Sequence, residues 1–152
     1  MNMQVRRAVP EEQTMLLELW ERAVRASHTL LEDHDIVELR PLVAVELAGT
    51  AVEWWVVASD EDLPMGFMGY TPGTIEGLFI DPEHQGHGGG KLLIAHAQTM
   101  AEGALAVDVN EGNEAARGFY ERQGFVVVGR SPTDSGGRPF PLLHMKRARP
   151  PG

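Results

Sequence analysis

Cysteine is absent from the 152 residues. Its absence excludes disulfide bonds, thiolate metal sites and a covalent cysteine mechanism. Also lacking is any run of about 18 apolar residues, so no membrane span is expected. The opening stretch, MNMQVRRAVPEEQ, has no apolar signal-peptide core, which makes a cytoplasmic location the expectation. Positive charge is scarce: 13 Lys and Arg stand against 22 Asp and Glu, for a net charge of −9. Nucleic acid is then a poor partner, because it calls for a basic face. A cationic small substrate suits the field better, although net charge is a weak guide to substrate.

No internal repeat or long linker interrupts the chain. A hydrophobic content of 43% with 23% charged residues fits one globular domain around a single core. That domain is expected over 1–147, with the ARPPG tail of 148–152 fraying. MQVRRAV (3–9) reads as a first strand, and Pro10-Glu11-Glu12 opens a helix. Leu16, Leu19, Trp20 and Ala23 fall at helical spacing on its buried stripe. A second helical region follows, with a break expected at Pro41 and an end near Gly49. The period then changes: AVEWWVVAS (51–59), MGFMGYT (65–71) and TIEGLFI (74–80) read as three consecutive strands in an antiparallel meander. A helix from Gly88 to Gly103, a strand ALAVDVN (104–110) and a helix from Glu114 to Gln123 come next. Asn113 suits the N-cap of that helix and Gly124 its stop. FVVVGR and FPLLHMKR close the chain as strands. The order β-α-α-β-β-β-α-β-α-β-β describes one α+β domain, with a mixed, mostly antiparallel sheet of six to seven strands flanked by four helices.

The stretch IDPEHQGHGGGKLL (80–93) holds four glycines in five positions, just ahead of a helix. Ordering such a backbone is costly, so a ligand that needs bare backbone is implied. A phosphate-binding P-loop requires Gly-x-x-x-x-Gly-Lys-Ser/Thr, but Gln85 stands at the first glycine and Leu92 follows Lys91. A dinucleotide fingerprint, Gly-x-Gly-x-x-Gly, fails from Gly86, which would need glycine at Lys91, and from Gly88, which would need it at Leu93. The pattern Gln/Arg-x-x-Gly-x-Gly/Ala is met by Gln85, Gly86, His87, Gly88, Gly89 and Gly90.

Here the chain resembles the GNAT family, the Gcn5-related N-acetyltransferases. A second segment, NEGNEAARGFYERQGF (110–125), is similar to the family's pattern at Asn110, Asn113, Ala116, Phe119, Tyr120, Gly124 and Phe125. The element order matches the family's across nearly the whole chain. The flavour of GFM, LFIDP, DVNEGN and PFPLL is that of its small bacterial members. The resemblance implies acetyl-CoA as cosubstrate, direct transfer to a primary amine, and no metal. The acceptor class stays open among small molecules, peptide N-termini and protein lysines. The physical account agrees: glycines let backbone N–H groups converge on a pyrophosphate, the next helix aims its positive end there, and Lys91 adds charge.

Such chemistry needs a base for the ammonium, a donor for the oxyanion and an acid for the leaving thiolate. Family likeness makes Tyr120 the acid. It implies that backbone groups of Leu78, Phe79 and Ile80 pair with the pantetheine arm, with the Ile80 N–H as oxyanion donor. Asn113 is expected to contact CoA or bracket Tyr120, and Phe119 belongs to the same cofactor-binding set. For the base, Glu76 stands in an apolar strand where burial would raise its pKa. Strand alternation places it with Leu78 and Ile80, and places Ile75, Gly77 and Phe79 on the other face. Asp108 on the next strand is the rival, and ordered water is a third option.

Other features carry less. His84 and His87 lack an acidic cluster for a metal. His28 reads as a surface or capping residue ahead of a pocket-lining one. Trp54 and Trp55 must point to opposite faces, one into the core and one toward the acceptor. The last two strands can pair with a second copy, giving a homodimer. A different class also stays open: a non-catalytic acyl-CoA sensor using the same loop.

Overall fold

The computed structural model describes residues 2–27 and 31–149. His28 and the last three residues of the expected tail lie outside them. Strand β1 (Gln4–Arg7) leads through a single 3-10 turn at Pro10–Glu12 into helix α1 (Gln13–Ala26). Leu16, Leu19 and Trp20 are its buried residues, as their spacing requires. Glu12 is fastened at the helix entrance by Arg6, with Nη2–Oε2 at 2.7 Å and Nη1–Oε1 at 3.0 Å. Helix α2 (Asp33–Ala48) runs unbroken through Pro41, contrary to the expected break. Pro41 withholds the N–H that would reach the carbonyl of Val37, and both residues are exposed, so water can satisfy that carbonyl.

Strands β2 (Glu53–Ala58), β3 (Pro64–Thr71) and β4 (Thr74–Ile80) form the antiparallel meander. Helix α3 (Gly89–Met100), strand β5 (Leu105–Asn110), helix α4 (Glu114–Arg122) and strands β6 (Val126–Ser131) and β7 (Leu142–Arg147) complete the chain. The sheet has seven strands in the order β1-β2-β3-β4-β5-β7-β6. Only β4 and β5 run parallel. The fold class is therefore the expected one.

Alternation along the strands separates two apolar clusters. Val56 and Phe67 turn toward α1 and α2, while their neighbours Val57 and Met68 turn toward α3. Trp54 packs on Phe67 and Trp55 on His96, on opposite faces. The cluster under α1 and α2 draws strand side chains from β2, β3 and β4; β5 and β7 send Leu105, Val107, Val109 and Met145 to the other one. Among the described residues, that leaves the outer face of the β5–β7–β6 half without an apolar cover.

Strand β4 breaks its own alternation. Gly69 pairs with Gly77 and Tyr70 with Ile75, so Glu76 is an extra, unpaired residue in a β-bulge. Ile75 consequently joins the cluster that Leu78 and Ile80 pack against, rather than sharing a face with Phe79. The simple alternation read from sequence fails at this position, because a bulge shifts every residue before it to the other face.

Candidate active site

The four glycines divide into two pairs. Gly86 (φ 80°) and Gly88 (φ 87°) are left-handed, and a Cβ on either would meet little: nothing within 4 Å at Gly86, and only Met3 Cε at 3.9 Å at Gly88. They are glycine because of the backbone turn. Gly89 and Gly90 are buried and glycine because of packing. A Cβ on Gly89 would lie 3.3 Å from Val57 Cγ1, and one on Gly90 would lie 3.0 Å from Phe119 Cζ. The loop thus lets α3 start close against the sheet and against α4. Gly88 caps α3, and the Leu92 N–H is the first to bond back, to the Gly88 carbonyl at 3.1 Å. The preceding N–H groups of Gly89, Gly90 and Lys91 have no intrahelical partner, which is the donor set an anion requires. Lys91 and His87 are exposed beside them. Gln85 reaches back with Nε2 3.4 Å from the Ile80 carbonyl.

Strand β4 meets β5 at only two residue pairs, Thr74–Ala106 and Ile75–Val107. Past them the strands part. Residues Leu78, Phe79 and Ile80 keep β3 on one side and have no paired strand on the other. The Asp81 N–H donates to the Met65 carbonyl on β3 at 2.9 Å. Alternation then turns the N–H groups of Ile80 and Leu78 away from β3, into the gap. Leu78 and Ile80 pack their side chains below α3, whereas Phe79 stacks on Phe67 across the sheet, with centroids 5.3 Å apart.

Helix α4 stands on the α3 side of the gap. Asn113 caps it, with Oδ1 accepting from the Ala116 N–H at 3.0 Å. The Tyr120 ring sits edge-on between Phe119 and Phe125, each at 5.3 Å. Tyr120 is buried, and its hydroxyl has no hydrogen-bond partner among the described residues. Burial pushes the phenol well above its ordinary pKa, so it is a protonated donor at neutral pH.

Neither carboxylate proposed as base is buried. Glu76 projects from the bulge into solvent and accepts from the Thr71 hydroxyl at 2.7 Å. Asp108 is also exposed, and its Oδ1 lies 2.6 Å from His144 Nδ1. The Nε2 of the same imidazole lies 2.6 Å from Ser131 Oγ. Ser131 and His144 were not singled out from the sequence, since three residues on three strands leave no spacing signature.

Asp81 is a second omission. It is 7% exposed, with Oδ2 2.7 Å from Arg22 Nη2 on α1 and Oδ1 3.2 Å from the Glu83 N–H. Burial acts to raise its carboxyl, but Arg22 and the Glu83 N–H outweigh that and hold it below the usual carboxylate range. The pair ties α1 to the turn that presents the glycine loop. An acid ending an apolar strand just before proline was the available signal.

On the face opposite α3, an open cavity of about 410 Å³ lies between α2 and the β6–β7 loop. Glu32, His34, Asp35 and Glu38 form one wall, and Arg138, Pro139 and Phe140 the other. Neither Trp54 nor Trp55 lines it. Among the described residues, no group of three or more His, Asp or Glu could hold a metal ion, and no helix is long and apolar enough to cross a membrane.

The family described as acetyltransferase (GNAT) domain matches residues 51–127. The chain is 43% identical to the peptidyl-lysine N-acetyltransferase YjaB of Salmonella typhimurium over 145 residues, covering 95% of this chain and 98% of that one. The solution structure of apo YjaB from Escherichia coli has a TM-score of 0.89 and 39% identity, with 100% of both chains covered. The Salmonella typhimurium yncA structure, which holds its cofactor acetyl-CoA, shares the fold at a TM-score of 0.67 and 20% identity, covering 100% of this chain and 96% of the other.

Proposed function

The chain belongs to the GNAT family of acetyltransferases, and from that membership we propose that the amine it acetylates is a lysine side chain in a peptide or protein. Acetyl-CoA is the donor and an amine the acceptor. The observation that carries the lysine reading is the set of three carboxylates, Glu32, Asp35 and Glu38, on the α2 wall of the open cavity, only one of which, Glu38, faces a cation across it, Arg138 at 3.9 Å. A cationic side chain on a polypeptide suits such a trough, and negative walls focus it there. The YjaB relative, similar over its full length, is named for the same acceptor.

In this reading the two sheet faces have different work. The pyrophosphate rests on the free N–H groups of Gly89, Gly90 and Lys91, with the α3 dipole behind them. The pantetheine arm lies along β4 and takes the N–H groups of Leu78 and Ile80 as an added strand would. The acetyl carbonyl oxygen faces the Ile80 N–H, which stabilises the charge that develops on it. Tyr120, from the α4 side, gives its proton to the departing thiolate. The acceptor enters from the opposite face, past Glu38 and Arg138.

The test is thiol release from acetyl-CoA with three acceptor sets: lysine peptides, free lysine and polyamines. Peptides are expected to give a kcat/KM at least about ten times that of the free amines. Equal rates would remove the polypeptide acceptor. Asp35→Lys and Glu38→Lys should raise KM for the peptide and leave the Kd for acetyl-CoA unchanged.

A further inference from the structure

Strands β5, β7 and β6 carry side by side a chain of three polar groups, Asp108, His144 and Ser131, on the face away from α3 and α4. Both links measure 2.6 Å. An ionised carboxylate can only accept a hydrogen bond, so the Nδ1 of His144 carries the proton given to Asp108. In the neutral imidazole Nε2 is then an acceptor, and the Ser131 hydroxyl donates to it. The sheet register builds the chain: Asp108 pairs with His144, and Ser131 stands two residues past Gly129, the β6 partner of His144. Asp108 is the first β5 residue beyond the last pair with β4, Ile75–Val107, and so stands where the gap opens. Ser131 and His144 flank the loop that supplies Arg138, Pro139 and Phe140 to the acidic cavity.

We propose that Ser131, His144 and Asp108 form a proton relay that deprotonates the acceptor amine, with His144 as the general base. This rests on acetyl transfer to an amine entering from that face. The amine N–H bond breaks and its proton passes to Ser131 Oγ, while Ser131 gives its own proton to His144 Nε2. The nitrogen lone pair attacks the acetyl carbon. The C–S bond then breaks, and the thiolate takes the Tyr120 proton. A lysine that arrives as its cation has two protons to lose: the first is held by the imidazole, and the second leaves the nitrogen for solvent as the C–S bond breaks. One of the two restores the phenol, and the other is the net proton released. Asp108 positions the imidazole and stabilises its cation, as the acid of a Ser-His-Asp triad does. Glu76 and Asp108 are then not the base.

The experiment compares wild type with His144→Ala, His144→Asn, Asp108→Asn and Ser131→Ala, using the best amine from the acceptor panel. His144→Ala should lower kcat about 100-fold or more, with the acetyl-CoA Kd and the melting temperature unchanged. Added imidazole should restore part of the rate to His144→Ala and none to Asp108→Asn. His144→Asn serves if the alanine variant does not fold. A full-rate His144 variant, or failure of imidazole rescue, overturns the relay while leaving the acetyltransferase intact. An acetyl ester on Ser131, seen by mass spectrometry, overturns it in favour of a covalent route. If wild type turns over no lysine peptide, the acceptor reading fails on its own. The relay is then judged by the His144 Nδ1 proton resonance: a far-downfield signal lost in Asp108→Asn supports it, and absence of that signal refutes it.

Discussion

Replacing Tyr120 by Phe removes one oxygen and leaves the ring in place. The edge-on contacts with Phe119 and Phe125, both at 5.3 Å, do not involve the hydroxyl. Tyr120 is 6% exposed, yet its hydroxyl oxygen is not sealed from solvent: among the described residues the sealed side-chain atoms without a partner are His96 Nε2 and Gln98 Oε1. The substitution removes no hydrogen bond to the protein and should therefore shift stability by less than about 1 kcal/mol, within roughly 2–4 °C in Tm for a chain of this size. Turnover should move the other way. Without a proton for the thiolate, kcat should fall about 100-fold, close to 2.7 kcal/mol in the barrier. The Kd for acetyl-CoA should not change. Because burial holds the folded-state phenol above its unfolded value, its contribution to stability is complete below pH ~10 and is lost at higher pH. Tyr120→Phe should lack that share of the alkaline loss. The assays are thiol release, calorimetric titration with acetyl-CoA, and urea unfolding at several pH values. An unchanged kcat would mean that Tyr120 is not the acid. A large drop in Tm would mean that the protein anchors the hydroxyl.

Gly90→Ala puts a methyl 3.0 Å from Phe119 Cζ, so the Phe119 ring must give way; it should weaken acetyl-CoA binding and lower Tm, both read in one thermal-shift titration. Arg22→Ala leaves the Asp81 carboxylate with only the Glu83 N–H, at a loss of roughly 1–2 kcal/mol, discounted because Arg22 is half exposed. Since the folded carboxyl is held below its unfolded value, that contribution exists above about pH 4 and disappears as pH falls through the folded pKa. Urea unfolding should therefore show the two proteins converging in acid. Glu76→Gln should change kcat less than about threefold, because its side chain projects into solvent and accepts from the Thr71 hydroxyl; a 100-fold loss would restore it as the base.

The order of elements along the chain, the meander and both motifs were legible because local signals carry them: period-2 runs, the Asn113 cap and the glycine cluster. Three features were not. The bulge at Glu76 arises from pairing with Gly69 and Tyr70, and no composition within β4 announces an extra residue. Continuity of α2 through Pro41 depends on solvent at the Val37 carbonyl, which propensity does not report. The Arg22–Asp81 pair and the Ser131–His144–Asp108 chain join residues far apart in sequence, and only register and helix docking bring them together. Even the glycines were only partly read: Gly86 and Gly88 serve the turn, while Gly89 and Gly90 serve the approach of α3 to β2 and α4.

The two-pair junction between β4 and β5 makes this sheet two plates rather than one. One plate is β1 to β4, the other β5 to β7, and a single buried cluster on the α3–α4 side joins them like the spine of a book. A pantetheine arm laid along β4 is then a splint as well as a substrate. At a hundredfold excess over Kd it contributes about 2.7 kcal/mol, concentrated at the fracture line where the protein's own backbone is weakest. The amides of Leu78 and Ile80 should accordingly gain the most exchange protection on saturation, and lose it each time the spent CoA departs.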